Sequence, residues 1–537
     1  MKTTTAEKFH LSMLAEIRPP RRQARSSVVR YLPDLSRQVS FVHGTPVDAV
    51  PLGHLAWKVM ESLALFDFSA LHAKASPLGR TGFDPAHLLG PLLLGSLEGV
   101  HHMSKLALRL QTDAAYRLVS GGNEIGVEKL RVFRRGNLLF FNECLTKTIE
   151  LAYQRNYVNL EETALDSVRI EADAAGASIC TLERSEKMVK QLSRSDLTDK
   201  TPEQIARHGA RLAKHEEAVR HCKEMDLTNY SRTDPSAALM KFPHGGSKPG
   251  HRLTTVVAGA AYRFCIAFYL SSKPTDHGLL PPMLEALRAR LRRIGVPDDV
   301  MVKVAVDAGF SNEDDLAVAV SNDLNIDVAL SQASHADAGA INSRGMFGKE
   351  RFIINGNDAT CPAGTKMHGP TKDRGLVIQW HGVGCGKCAL RKQCTTADKR
   401  TLTHNPVMAE RRAKMLELME DSARKLLYSK RAAIVESQYS MIEDTMGFRR
   451  VSSRHPATVP AEIVLKLLAY NLTRLWAADR VAPEGSPHRG AADDRPPATA
   501  QTNFFYFLDT ESWPIELLDA VVDFLLAAQA PETDLAA

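Results

Sequence analysis

The chain has 537 residues, of which 44% are hydrophobic and 24% charged, and its formal net charge is +6. This length exceeds what one compact core usually holds, so several domains are expected. The charge permits a polyanionic partner without requiring one, and no apolar run reaches the roughly 20 residues that span a bilayer.

The hydrophobic periodicity changes several times along the chain and predicts a series of domains. The predicted domains are a basic flexible arm (1–45), a helical domain (46–155), the first part of an α/β core (156–332) with a charged helical insertion (185–226), a cysteine-bearing insertion (333–405), the helices that complete the core (406–480), a linker (481–502) and a C-terminal aromatic helix (503–537). Strands and helices alternate within the core segment, which predicts a mixed α/β layer architecture.

Three acidic residues stand in settings that suit metal chemistry. Asp166 and Asp307 each lie in a short β-branched run, and Glu436 lies on a predicted helix that also carries Lys and Arg. Mg²⁺ prefers carboxylate oxygens, and a pair of such ions can promote displacement at phosphorus. Spacing alone favours plainer roles, because Asp307 can cap a helix near Asn312 and Glu436 can lie on a solvated helix face. Other catalytic motifs, such as a P-loop, a G-x-S-x-G elbow or H-E-x-x-H, do not occur.

Eight motifs in order along residues 60–478 together resemble those of DDE transposases from bacterial insertion sequences, in the branch with a helical N-terminal domain. The motifs are GRTGFDP (79–85), GSLEGVH (95–101), VFRR (132–135), LDSVRIEAD (165–173), RTDPSAALM (232–240), GHRL (250–253), VAVDAGFS (304–311) and YSKRAAIVE (428–436). The resemblance depends on the set and its order, since no single motif is specific.

The resemblance implies a ribonuclease-H-like core and a catalytic triad of Asp166, Asp307 and Glu436 that binds two Mg²⁺ or Mn²⁺ ions. It also implies that the helical domain (46–155) binds DNA and that Tyr428 and Arg431 contact the DNA backbone near the active site. The implied activity is metal-dependent cleavage at the element ends followed by strand transfer into target DNA. The implied partners are double-stranded DNA, as terminal inverted repeats and target, and further copies of the chain.

Two positions depart from the family pattern. Glu443 stands where many relatives carry lysine, and Asp173 stands where the family often has asparagine. Two other functions stay open at this point. One is a domesticated or decayed DNA-binding protein without catalysis, and the other is a ribonuclease-H-like nuclease that cuts DNA without joining it.

Four of the eight cysteines fall in one window and follow the pattern C-x23-C-x2-C-x5-C. They are Cys361, Cys385, Cys388 and Cys394. The pair in Cys385–Cys388 has the spacing of a zinc knuckle, so Zn²⁺ is a candidate ligand. The alternative is a set of reduced thiols in a small β insertion. Eight cysteines in so long a chain, without a signal-peptide segment, predict a reduced cytoplasmic protein, which the resemblance places on the nucleoid.

Further arginines cluster near the ends of two predicted helical regions. Arg134 and Arg135 close one motif of the helical domain, and Arg449 and Arg450 follow the Glu436 helix. Arginine side chains of this kind contact DNA phosphates, which positions a protein on a duplex without reading its sequence. A solvated surface is the alternative for each of them.

Overall fold

The computed structural model describes residues 31–38, 45–75, 81–243, 245–259, 261–331, 345–373 and 377–481. The predicted C-terminal helix (503–537), almost all of the predicted linker (481–502) and most of the predicted arm (1–45) lie outside the described residues. Within the described part of the chain, no helix combines the length and the apolar character needed to cross a membrane.

The region predicted as a helical domain contains eight helices. They are α1 (Pro46–Ala49), α2 (Leu55–Leu63), α3 (Ser69–Ala73), α4 (Pro85–Leu97), α5 (Met103–Thr112), α6 (Ala114–Val119), α7 (Val127–Gly136) and α8 (Leu138–Gln154). Helix α4 is apolar on all sides and almost completely buried, because α2, α6 and the last helix of the core pack around it. Such a helix is the centre of a domain, since it has no polar face to present to water.

Gly90 allows α4 and α6 to approach closely. A Cβ atom at this position would lie 2.5 Å from the carbonyl oxygen of Val119. We therefore expect Gly90→Ala to lower the free energy of unfolding by about 1–3 kcal/mol, because the two helices must separate. The matched control is Gly209→Ala in an exposed helix, where a Cβ meets no atom within 4 Å and the change should raise stability by up to about 1 kcal/mol. Urea unfolding of both variants tests this, and equal effects would contradict it.

A six-stranded mixed sheet forms the core. The first eight strands are β1 (Thr163–Glu171), β2 (Ile179–Thr181), β3 (Asn229–Ser231), β4 (Ala238–Phe242), β5 (Gly246–Ala258), β6 (Phe264–Ser271), β7 (Val302–Val306) and β8 (Ile326–Leu330). Strand β5 pairs antiparallel with β1, β4 and β6, whereas β1 pairs parallel with β7, and β7 with β8. Four strands joined by antiparallel pairing (β1, β4, β5 and β6), with the parallel strands β7 and β8 added beside β1, are consistent with a ribonuclease-H-like core, so the predicted fold class is confirmed.

Helices in the first part of the core follow the predicted pattern. They are α9 (Leu182–Leu192), α10 (Pro202–Glu224), α11 (Leu280–Arg293) and α12 (Glu313–Ser321). Helices α9 and α10 pack against each other as a hairpin, within the segment predicted to be a charged helical insertion. Asn312 caps α12, because its side chain accepts a hydrogen bond from the backbone N–H of Asp315. Because Asn312 is the N-cap of this helix, Asp307 does not have the capping role that the sequence left open.

The cysteine-bearing segment contains short strands around a small core of its own. Its elements are β9 (Ile353–Asn355), β10 (Asp358–Thr360), β11 (His368–Asp373), β12 (Val377–His381), α13 (Arg391–Cys394) and β13 (Thr401–His404). The side chain of Trp380 is fully buried at the centre of this core. The chain then continues through α14 (Pro406–Leu418), α15 (Ser422–Ser440), a π-helical turn (Met441–Thr445) and α16 (Thr458–Val481). Helix α16 packs against α4 and α8, so the end of the core is joined to the helical domain.

Candidate active site

One face of the sheet carries the two aspartates. Side chains alternate between the faces of a strand, and Ala164 and Ala305 of this face pack under α15 through Ile434. Two positions along the chain from these alanines come Asp166 and Asp307. Because β1 and β7 are parallel with Leu165 opposite Val306, the two aspartates that follow lie side by side under the helix.

Arg431 of α15 binds both aspartates. Its Nη1 lies 2.7 Å from Oδ2 of Asp166, and its Nη2 lies 3.1 Å from Oδ1 of Asp307. The two carboxylates are therefore close enough for a single cationic group to pair with both. A donor set of two convergent carboxylates that already holds a positive charge fits a divalent cation such as Mg²⁺.

The surroundings of Asp166 shift its pKa in opposite directions. Burial raises its pKa above the ordinary value, while the backbone N–H of Ser167, which donates to Oδ1 at 2.7 Å, and the Arg431 guanidinium work against this rise. Burial lowers the pKa of Arg431, but the attraction of Asp166 and Asp307 outweighs it, and the net pKa is raised. The arginine therefore stays charged beside the two carboxylates.

Glu436 lies on the same helix, five residues beyond Arg431, and its side chain is exposed. It makes no hydrogen bond or ion pair with another described residue. Across the described ranges, no three His, Cys, Asp or Glu side chains are grouped closely enough to hold a metal ion. The structure thus brings Asp166 and Asp307 together and places Glu436 on the helix that covers them, without bringing its carboxylate into the pair.

The hydroxyl of Tyr439 holds the Asp166 strand, and its role was not identified from the sequence. The hydroxyl of Tyr439 donates to the backbone oxygen of Asp166 at 2.6 Å, and it lies 2.9 Å from Oγ1 of Thr255. Thr255 also donates to the side chain of Gln438 at 2.9 Å. Tyr439 stands eight residues after Arg431, close to the same face of α15, and this helical spacing is the signal that could have found it.

An ion pair between Arg252 and Asp276, next to Ser167, was also not identified from the sequence. Arg252 on β5 is 1% exposed and binds the carboxylate of Asp276, and both contact the hydroxyl of Ser167. Asp276 lies close to the site, since a Cβ at Gly309 would lie 3.4 Å from an oxygen of Asp276 and 3.1 Å from one of Asp307. Asp276 follows no recognisable motif, so only the fold reveals its position.

The predicted DNA-binding residues have different settings. Tyr428 is partly buried against the hydrophobic residues under α15, and Arg431 is held by the two aspartates. Arg449 is exposed and pairs with Asp444, and Arg450 is exposed and donates to Asp173 at 2.6 Å. The two departures from the family pattern therefore behave differently, because Asp173 binds arginine whereas Glu443 is half-buried and burial raises its pKa.

Arg134 and Arg135 differ in exposure. Arg134 is 5% exposed and forms a buried ion pair with Glu462, 3.4 Å away, so its guanidinium does not lie on the open surface of the helical region. The interface between α7 and α16 covers it. Arg135 is exposed, and its role as a surface contact stays a prediction.

The four cysteines of the insertion line one cavity. Cys361, Cys385, Cys388 and Cys394 all border a space of about 380 Å³. Burial raises the pKa of the Cys394 thiol, and Arg400 lowers it. All eight cysteines are free thiols. The thiols share a cavity, but they are not grouped as a finished metal site.

Comparisons with known proteins match only the C-terminal half of the chain. No curated protein and no solved structure gives a significant match to the chain. Residues 360–476 match the family model described as the transposase DDE domain. The matched segment includes the cysteine-lined cavity, Arg431, Glu436 and most of α16, and it begins after the two aspartates. This match covers less than a quarter of the chain and, together with the mixed sheet on which Asp166 and Asp307 converge, it supports a DDE-type transposase.

Proposed function

We propose that the protein is an active DNA transposase that cleaves phosphodiester bonds at the ends of a mobile element and joins those ends to target DNA. The observation that carries the proposal is the convergence of Asp166 and Asp307 on one guanidinium, with distances of 2.7 and 3.1 Å. Glu436 of the covering helix completes the proposed triad. The family match supports a transposase in general, and the individual roles of these residues are our proposal.

Asp166, Asp307 and Glu436 would hold two Mg²⁺ or Mn²⁺ ions in this proposal. When bound, such ions lower the pKa of an attacking water and stabilise the leaving oxygen of a displacement at phosphorus. Tyr439 and Ser167 hold Asp166 through its backbone oxygen and one carboxylate oxygen. Arg431 holds both carboxylates in place. Once it releases them, its guanidinium can pair with a DNA phosphate.

Double-stranded DNA is the proposed partner, both as terminal inverted repeats and as target. Two DNA ends must be brought together for joining, so we propose that the active form contains at least two copies of the chain. Four predicted DNA contacts lie on the helix that covers the aspartates or in the segment that follows it, which supports a DNA path across this face. They are Tyr428, Arg431, Arg449 and Arg450. A duplex along this path would pass Glu443 without the lysine contact that many relatives make.

The proposal is tested by incubating the purified protein with Mg²⁺ and a labelled duplex that carries the element end. We expect nicks at the end and, with target DNA added, joined products of greater length. Cleavage without joined products would favour the nuclease alternative. Tight DNA binding without any metal-dependent nick would favour the domesticated DNA-binding alternative.

Replacement of Arg431 should make the protein more dependent on metal for stability. Without the guanidinium, Asp166 and Asp307 repel each other, so Arg431→Gln should lower the melting temperature of the metal-free protein by several degrees. Mg²⁺ should restore most of the loss, because an ion that binds only the folded state stabilises it. Melting curves of wild type and variant, with EDTA or with Mg²⁺, measure both effects.

Arg424→Gln is the matched control for this measurement. Arg424 also lies on α15 and pairs with one aspartate, Asp327, at 2.6 Å. Its loss should destabilise the protein without creating any added response to Mg²⁺. If Mg²⁺ shifts the melting temperature of Arg431→Gln no more than that of Arg424→Gln, the proposed cation site is not at Asp166 and Asp307.

Zinc in the cysteine-bearing insertion is a second proposed metal. Cys361, Cys385, Cys388 and Cys394 would supply thiolate ligands of the type that a structural Zn²⁺ requires, and the cavity they line brings them to one place. We expect the purified protein to contain about one zinc per chain, measured by mass spectrometry, and Cys388→Ser to lose it. Zinc-free protein with the same melting temperature would contradict this proposal.

A further inference from the structure

A second cavity, distinct from the active site, lies where the helical domain meets the end of the core. Its volume is about 480 Å³. Four arginines line it, and we call it the arginine pocket. They are Arg131, Arg134, Arg135 and Arg454. The first three come from α7 and the fourth from the loop before α16, so the pocket spans both parts of the molecule.

Two helices begin at the arginine pocket. Helix α5 starts at Met103, and its N-cap His102 makes no hydrogen bond from its side chain to the open N–H groups of the first turn. Helix α16 starts at Thr458 and continues to Val481. The N-terminus of a helix carries a partial positive charge and unpaired N–H donors, and it therefore favours an anion.

A buried donor in the pocket has no acceptor. Arg134 uses its Nη1 to donate to the hydroxyl of Ser452 at 3.0 Å and to pair with Glu462. Its Nε is buried and has no hydrogen-bond partner among the described residues. Buried donors of native proteins are nearly always paired, because an unpaired one costs about 1–3 kcal/mol. An oxyanion in the pocket would supply the missing acceptor.

The acidic groups of the pocket leave part of its positive charge unopposed. Glu128 lies 3.7 Å from Arg131, and Asp173 accepts from Arg454 at 3.0 Å. Asp173 is shared with Arg450, which it accepts at 2.6 Å. Arg135 is exposed and makes no ion pair with another residue of the described ranges. Glu462 pairs with Arg134, so three carboxylates face the four lining arginines and Arg450, and the remaining positive charge favours an anionic ligand.

We propose that the arginine pocket binds a phosphate group of the DNA backbone. The choice of DNA as the source of the phosphate rests on the proposed function, whereas the oxyanion chemistry of the pocket does not. Asp173 at the rim follows Asp166 by seven residues on β1 and its continuation, so the two sites are at most roughly 25 Å apart. One duplex can therefore reach both, and the pocket would anchor it at a fixed distance from the aspartates.

Charge removal at two exposed pocket residues tests the proposal. The double variant Arg131→Gln/Arg135→Gln leaves the buried Arg134–Glu462 pair intact, and both replaced side chains are exposed. We expect its affinity for an end-containing duplex to fall by about tenfold or more near 0.1 M salt. The slope of log affinity against log salt concentration should decrease by about 1–2, because fewer counterions are released. Fluorescence anisotropy over a range of salt concentrations measures both quantities.

The control double variant is Arg109→Gln/Arg292→Gln. These two arginines are exposed, lie on other helices and pair with Asp113 and Asp298 respectively. This control removes the same charge, and we expect it to keep the wild-type salt slope. Equal losses in both double variants would show a general effect of net charge and would overturn the pocket.

Calorimetric titration with inorganic phosphate separates the two sources of the ligand. Wild type should bind phosphate and the pocket variant should not, and this result supports the pocket even if no DNA is cleaved. If the variant loses phosphate binding but keeps wild-type DNA affinity and salt slope, DNA is not the ligand and the proposal fails. Asp166→Asn should lose cleavage and keep the salt slope, so a failure of the active site is distinguishable from a failure of the pocket.

Discussion

Asp166→Asn is expected to abolish metal-dependent cleavage while DNA binding is kept. The asparagine has the same shape, and its one amide oxygen can keep the hydrogen bond from either Ser167 or Arg431, which donate to different oxygens of Asp166. It lacks the negative charge that a divalent ion requires. Charge stabilisation by such ions contributes several kcal/mol to displacement at phosphorus, so the rate should fall on the order of a thousandfold or more.

Asp307→Asn should show the same loss, because its carboxylate pairs with the same guanidinium. Asp298→Asn is the control, since Asp298 is exposed and pairs with Arg292 rather than with Arg431. Cleavage rates with a labelled end-containing duplex and gel-shift affinities should be measured side by side. Retention of more than about a tenth of the wild-type rate in Asp166→Asn, roughly 1.4 kcal/mol, would exclude this residue as a metal ligand.

Glu462→Ala is expected to have the largest effect on stability. Glu462 is 2% exposed, pairs with Arg134 and accepts the backbone N–H of Ser452 with both oxygens. Its loss leaves Arg134 and the fully buried Lys466 without a counter-charge. Removing one partner of such a buried pair should lower the free energy of unfolding by about 3–5 kcal/mol. Urea unfolding measures this, and Glu417→Ala on the exposed face of α14 is the control.

The destabilisation by Glu462→Ala should also depend on pH. Burial lowers the pKa of Lys466 to about 7, and Glu462 acts against this lowering. Between this value and the ordinary lysine pKa, the unfolded chain binds the extra proton, so stability rises with pH in that range. Glu462 attracts Lys466 only while the lysine is protonated. The destabilisation by Glu462→Ala should therefore be larger at pH 6 than at pH 9, and the opposite trend would contradict this network.

The fold class could be predicted from local patterns, whereas the grouping of the two aspartates was predicted from the resemblance to DDE transposases, since spacing alone favoured plainer roles. The β-branched runs around Asp166 and Asp307 are strands, and parallel neighbours place corresponding residues side by side. The helix that covers them was also predicted, and the resemblance named Arg431 as a site residue. Its contact with both carboxylates depends on the packing of α15 on the sheet, which no local pattern encodes.

Residues that act through long-range contacts could not be predicted in this way. Asp276 reaches the site through a buried bond to Arg252, and Arg134 is buried by a helix more than 300 residues later in the chain. Charged residues such as these read as solvated surface in a sequence, because their partners are distant along the chain. The unforeseen burial of Arg134 and the missed position of Asp276 have this same cause.

The central claim is that Asp166, Asp307 and Glu436 belong to one cation site, and iron-directed cleavage of the polypeptide tests it most directly. Fe²⁺ replaces Mg²⁺ in the purified protein, and ascorbate with peroxide then generates radicals that cut the backbone next to the bound ion. We predict fragments that end near all three residues, and their disappearance when excess Mg²⁺ competes. Cuts near Asp166 and Asp307 but never near Glu436, or cuts that Mg²⁺ does not suppress, would contradict the claim.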